Sequence, residues 1–210
     1  MDLNHLENLL DLYVIHLPER HDRWKRISEA YSGYRLIAVE AVRHENGRIG
    51  CFLSHQKCIR MAKEANMKYI CVLEDDCEPI GSPEKLKEIK FFLDNHSWKI
   101  FIGGGTGTWD GHVIEKLDRS LYLVSKIKTT HMIFYHWSVY DFFLFFDPNR
   151  TDLPIDRIWH GHIHAVIPIP FIATQSNGYS DIEKKEMAIG DKINLHNNFL
   201  INYVAKLGLL

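Results

Sequence analysis

The stretch Lys68-Tyr69-Ile70-Cys71-Val72-Leu73-Glu74-Asp75-Asp76 decides how the chain is read. Tyr69 to Leu73 is apolar throughout, as in a strand inside a mostly parallel sheet covered on both faces. Three acids follow without a break. In an open α/β sheet the position just beyond a strand's carboxyl end is where ligands sit. Extended-chain alternation puts Glu74 and Asp76 on one side and Asp75 on the other. Their mutual repulsion is offset by a divalent cation, and hard oxygen ligands suit Mg²⁺ or Mn²⁺ bound together with phosphates. The alternative, an acidic surface turn, stays open at this point.

The flanking segments repeat one pattern. Leu10 to Leu17 is β-branched and apolar and stops at Pro18, which opens a helix carrying Arg20 and Arg23. Tyr34 to Ala41 reads as a second strand. From Ile49 the apolar positions Phe52, Leu53, Ile59 and Ala62 fall at helical spacing to about Asn66. Downstream, Ser82-Pro83-Glu84 reads as the cap of a helix with Leu86, Ile89 and Leu93 on its inner face. Trp98 to Ile102 is a fourth strand, ending in Gly103-Gly104-Gly105. This alternation predicts an α/β fold. The glycine run suits either a phosphate cradle or a flexible loop closing over a site. It lacks the Gly-Lys-Ser/Thr ending of a P-loop.

The second half is less regular. Val113 to Lys126 reads as a hairpin around Asp118-Arg119-Ser120, and His131 to Tyr135 as a strand. Ser138 is placed as the cap of a short helix through Phe146. Pro148 to Asp156 reads as loop, Pro154 to Trp159 as helical, and about Asp191 to Lys206 as a closing helix. With no repeat, low-complexity tract or linker, residues 1–210 are expected to form a single domain.

The 210 residues carry 25 Lys and Arg against 27 Asp and Glu, a formal charge of −2. No basic excess is present to neutralise a nucleic-acid backbone. The N-terminal residues 1–7 predict no signal peptide, and no apolar run is long enough for a transmembrane segment, so a soluble cytoplasmic protein is expected. The four cysteines form no Cys-x-x-Cys pair and read as free, mostly buried thiols. Thirteen histidines raise the question of metal. His160, His162 and His164 would share one face of a strand but diverge in a helix. No nucleophile-elbow or zinc-protease motif is present.

Four ordered segments resemble glycosyltransferase family 25, the lipopolysaccharide and collagen-type galactosyl- and glucosyltransferases. They are Tyr13 to Arg20 with Asp22-Arg23, then Gly50-Cys51-Phe52-Leu53-Ser54-His55, then Leu73-Glu74-Asp75-Asp76. The last is Pro154-x-Asp156 followed by Pro170, Gln175 and Gly178-x-Ser180-Asp181-Ile182. The resemblance implies a GT-A type, Rossmann-like nucleotide-sugar-binding domain with a mixed, mainly parallel sheet. It also implies inverting, metal-assisted transfer of galactose or glucose from a UDP-sugar to a hydroxyl of a glycan or hydroxylysine-bearing acceptor.

By the same resemblance, Glu74 and Asp76 hold Mn²⁺ (or Mg²⁺). Leu17, Arg20, Arg23, Ser54, His55, Glu74, Asp75, Gln175 and Ser180 surround the donor. Asp156 is the catalytic base, with Asp181 as the alternative. Two departures stand out: His16 occupies the usual Asn position, and the chain is short for the family. Two rivals are carried forward: a metal hydrolase built on His160, His162 and His164, and a non-catalytic glycan- or nucleotide-binding module. The aromatic run around Phe142 to Phe146 is read as core, with a homodimer face as the alternative.

Overall fold

The computed structural model describes residues 10–82, 85–108, 112–151, 153–182 and 184–209. The expectation for residues 1–7 lies outside them, as do Pro83 and Glu84 of the expected helix cap.

The elements run β1 (Asp11–His16), α1 (His21–Ala30), β2 (Arg35–Glu40), α2 (Gly47–Glu64), β3 (Tyr69–Glu74), β4 (Cys77–Pro79), α3 (Lys85–Asn95) and β5 (Ile100–Ile102). Then come β6 (Val113–Lys116), β7 (Leu121–Val124), β8 (Met132–His136), α4 (Tyr140–Phe145), β9 (Ala165–Pro168), β10 (Ala173–Gln175), β11 (Gly178–Ser180), β12 (Lys185–Met187) and α5 (Ile189–Lys206). An eight-stranded sheet has the order β2-β1-β3-β8-β5-β9-β7-β6. β1 is parallel to β2 and β3, and β5 is parallel to β9. β8 runs antiparallel to both of its neighbours, β3 and β5, and β7 runs against β9 and β6. The sheet is therefore mixed α/β, with β8 and β7 reversed against the rest.

The apolar run of β3 explains its central place. Ile70 and Val72 enter one core with Phe52 and Ile59 of α2, Phe143 of α4 and Leu200 of α5. Cys71 and Leu73 enter the other, with Ile27 of α1 and Leu86, Phe92 and Leu93 of α3. Every second residue meets a different helix layer, so neither face tolerates a polar side chain.

Three local expectations change. The glycine run is not a loose loop: Gly104 and Gly105 form a packing joint. A Cβ on Gly104 would lie 2.2 Å from the Ala173 carbonyl oxygen, and one on Gly105 would lie 2.3 Å from that of Lys128. Ser138 does not cap the helix. A 3₁₀ turn, Trp137–Val139, precedes α4, and the His136 side chain receives the Ser138 N–H. Pro154 to Trp159 forms linked turns, with Arg157 N–H to the Pro154 carbonyl at 2.9 Å and His160 N–H to the Arg157 carbonyl at 3.1 Å.

Candidate functional site

The site grows from the end of β3. Because β8 is antiparallel to β3, its beginning lies beside that end, and the Glu74 N–H bonds the His131 carbonyl at 3.0 Å. Thr129 and Thr130 thereby enter the site. The acids then turn into β4, which pairs with β10 and sets Gln175 opposite Cys77. The Ser176 N–H closes onto the Asp76 carbonyl at 2.8 Å. The first turn of α1 brings Arg23 from one side, and the start of α2 brings Cys51 from the other. Gly50 lets α2 approach, since a Cβ there would meet the Val42 carbonyl at 2.7 Å. A cavity of about 420 Å³ results, lined by Arg23, Glu74, Asp76, Asp156 and Gln175 among others. A second, of about 350 Å³, shares Arg23, Cys51, Glu74, Asp76 and Gln175 with it.

The three acids are held differently. Asp75 faces away from the larger cavity, accepting from Arg23 Nη1 at 2.9 Å and meeting His16 Nδ1 at 3.1 Å. His16, at the departure from the family pattern, is thus tied to an acid. Asp76 Oδ2 accepts from Gln175 Nε2 at 2.9 Å and from Arg23 Nη1 at 3.3 Å, while its Oδ1 is buried without a hydrogen-bond partner. Glu74 Oε1 accepts from Thr130 Oγ1 at 2.6 Å and lies 3.5 Å from His55 Nε2.

Burial, and next the charge of Glu74, pushes the Asp76 carboxyl up to about 7, against the Gln175 hydrogen bond and Arg23. Burial also acts to raise Glu74, but His55 and the Thr130 hydroxyl outweigh it and leave that carboxyl below its ordinary range. One acid is thus kept charged and its neighbour is kept near neutrality, a pair short of positive charge.

The other expected residues separate into two groups. Asp156 lines the larger cavity; its Oδ2 receives the Thr129 N–H at 2.9 Å and its Oδ1 is buried and unpartnered. Thr129 reaches it from a φ of +86°, a left-handed conformation that β-branched residues rarely adopt. Arg20 is the N-cap of α1; it lines the same cavity, grips Asp22 through two bonds of 3.1 Å and pairs with Asp181. Arg23 also reaches Asp181 at 3.6 Å and donates to the Tyr179 carbonyl at 2.6 Å, tying the β11 strand to α1. Leu17 and Asp181 line the second cavity, and Ser180 lines both.

Ser54 lines the second cavity, and His55 lies behind it. The Ser54 hydroxyl donates to the Gly50 carbonyl and accepts the Val42 N–H, holding the segment after β2 against α2. His55 is fully buried between Glu74 and Tyr135, whose hydroxyl lies 3.1 Å from His55 Nδ1.

Sequence reasoning missed Cys51, Lys128, Thr129 and Thr130, all on the larger cavity. Cys51 had a signal: it precedes His55 by four residues, so both project from one face of α2. The threonines had none, because their place depends on β8 being reversed. His160, His162 and His164 do not converge. His160 Nε2 is bonded to the Ile127 carbonyl at 2.8 Å, and His162 and His164 are exposed. Among the described residues, Cys51, His55 and Glu74 form the one group of such side chains at metal-binding spacing.

Comparison with known proteins gives a partial family match. Residues 44–130 match the sequence model of glycosyltransferase family 25 (LPS biosynthesis protein). No curated protein matches the chain. Among solved structures, A197 from STIV is similar with a TM-score of 0.50 at 10% identity, over 85% of this chain and 93% of that one. That likeness bears on the fold alone.

Two others score 0.41. One is a glycosyltransferase involved in the glycosylation of the major capsid of PBCV-1, at 15% identity over 64% of this chain and 63% of that one. The other is apo-UDP-glucose pyrophosphorylase, at 11% identity over 90% and 70%. Neither is close enough to bear on fold or function. No helix among the described residues is long and apolar enough to cross a membrane. The family match, which runs from residue 44 just before α2 through Glu74-Asp75-Asp76 to Thr130, covers less than half of the chain and supports a glycosyltransferase.

Proposed function

We propose that the chain transfers galactose or glucose from a UDP-sugar to a hydroxyl of a glycan or hydroxylysine-type acceptor, with inversion, in a GT-A-type site. The observation that carries this reading is a convergence. The acids of the family-matched segment and Asp156, which lies outside it, line one cavity at the carboxyl end of β3.

The residues present suit a divalent cation, Mn²⁺ or Mg²⁺. Asp76 has a buried, unpartnered oxygen, and the charge of Glu74 acts against its ionisation. Glu74 and Asp76 would hold the ion, which when bound supplies positive charge to the leaving diphosphate. Lys128 and Arg157 line the same cavity with no carboxylate partner among the described residues, so their charge is free for phosphate oxygens.

Asp156 is the base. Its Oδ2 is fixed by the Thr129 N–H, and its carboxylate, on the wall of the larger cavity, takes the proton of the acceptor hydroxyl as that oxygen attacks the anomeric carbon. Asp181, the alternative, is engaged by two guanidiniums. That pairing suits a part in orienting Arg20 and Arg23 beside the donor.

Calorimetry and transfer assays on Asp156→Asn test the assignment. The variant should bind UDP-sugar as the wild type does and lose transfer by about 10²-fold or more. Wild-type turnover in that variant would move the base to another residue. Undiminished turnover with no bound nucleotide sugar would remove the donor class altogether.

A further inference from the structure

Behind the acid pair lies a second constellation of different chemistry. Cys51 and His55 stand four residues apart on α2, and Glu74 at the end of β3 faces them. One ligand atom from each falls within 4.8 Å of the other two. The His55 Nε2 to Glu74 Oε1 separation of 3.5 Å is close to the edge of a tetrahedron built on bonds of about 2.0–2.2 Å. His55 is fully buried, and its Nε2 points at this group without a hydrogen-bond partner.

Both inner ligands have the outer contacts that orient metal-binding side chains. The Tyr135 hydroxyl meets His55 Nδ1 at 3.1 Å, and Thr130 Oγ1 donates to Glu74 at 2.6 Å. Cys51 and Glu74 line both cavities, so the group is reached from them.

We propose that Cys51, His55 and Glu74 form a binding site for a borderline-soft transition metal of the Zn²⁺ class, which shares Glu74 with the hard-cation pair. Sulfur and imidazole ligands favour such an ion over Mg²⁺ or Mn²⁺. Binding forms the sulfur–metal bond as the Cys51 thiol releases its proton to solvent, with no change of oxidation state. His55 binds through Nε2 in the tautomer whose Nδ1–H donates to Tyr135. Because the ion occupies Glu74, it withdraws that carboxylate from the larger cavity. The site does not depend on sugar transfer, and its test reads metal binding.

The experiment titrates Co²⁺ into the metal-free 210-residue chain and follows absorption. One equivalent should produce a sulfur-to-cobalt charge-transfer band with the visible bands of a tetrahedral site. Cys51→Ser should lose the charge-transfer band, and Asp76→Asn should retain it. As a check that needs no variant, Zn²⁺ should protect wild-type Cys51 from iodoacetamide, read by peptide mass. Absence of the band in wild type, its persistence in Cys51→Ser, its loss in Asp76→Asn, or unprotected Cys51 at saturating Zn²⁺ would each overturn the proposal.

Discussion

Replacing Asp76 by Asn should make the metal-free protein more stable at neutral pH, although it removes a central group of the site. The folded-state value of about 7 stands against an ordinary value of 3.8. Keeping the group ionised in the folded chain above pH 7 therefore costs about 4 kcal/mol. Asparagine removes that cost, and its carbonyl oxygen in the Oδ2 position still accepts from Gln175. The lost attraction to Arg23 Nη1, at 3.3 Å, is already contained in the value of about 7 and is not subtracted again. The net gain is about 4 kcal/mol at pH 7.5, or roughly 8–16 °C in Tm for a chain of this length.

The sign follows from proton uptake. Between about pH 4 and pH 7 the folded wild type holds this proton more tightly than the unfolded chain does. Wild type therefore loses stability as pH rises through that window, and the variant's advantage fades towards pH 4. Urea unfolding in EDTA at several pH values reads the effect directly. A variant less stable than wild type at pH 7.5, or a gap that does not shrink towards pH 4, would refute the reasoning.

Three further outcomes are expected. Arg23→Ala leaves Asp75 and Asp76 without their shared cation and should cost about 3 kcal/mol in urea unfolding. Arg23→Lys should restore little, because one ammonium cannot serve two carboxylates and the Tyr179 carbonyl as the forked guanidinium does. Thr130→Val keeps the shape but removes the hydroxyl from Glu74, costing about 1–2 kcal/mol and raising the Glu74 titration midpoint measured by NMR. The exposed His162 and His164, changed together to Ala, should alter neither transfer nor stability beyond about 0.5 kcal/mol; loss of activity there would revive the histidine-centred hydrolase.

The legible parts of the molecule were those set by local pattern. The apolar run before Glu74 announced a buried strand. The elements from Leu10 to Ile102 alternated clearly enough to give the α/β class and the end of the sheet where the two cavities open. At the larger cavity Glu74 and Asp76 are present and Asp75 is not, the division expected, but Asp75 and Asp76 form a turn and all three acids line the second cavity.

What the sequence hid depends on contacts between distant segments. Nothing in Met132 to His136 says that it inserts in reverse between β3 and β5. That insertion alone brings Thr129 and Thr130 to Glu74 and Asp156. The glycines at 103–105 looked loose because their composition is that of a loop. They are tight because the Ala173 and Lys128 backbones press against them. Arg20, Arg23 and Asp181 were singled out separately, but their mutual pairing required the β11 strand to fold back over α1.

The central claim is that the acid pair at the end of β3 serves transfer from a UDP-sugar. The most direct test is UDP release from UDP-galactose and UDP-glucose by the purified chain, with Mn²⁺ and then with EDTA, in wild type and in Asp76→Ala. The account predicts release in Mn²⁺ from at least one donor, its abolition by EDTA, and its loss in Asp76→Ala. Full release by Asp76→Ala, or no release from either donor in Mn²⁺, would contradict it.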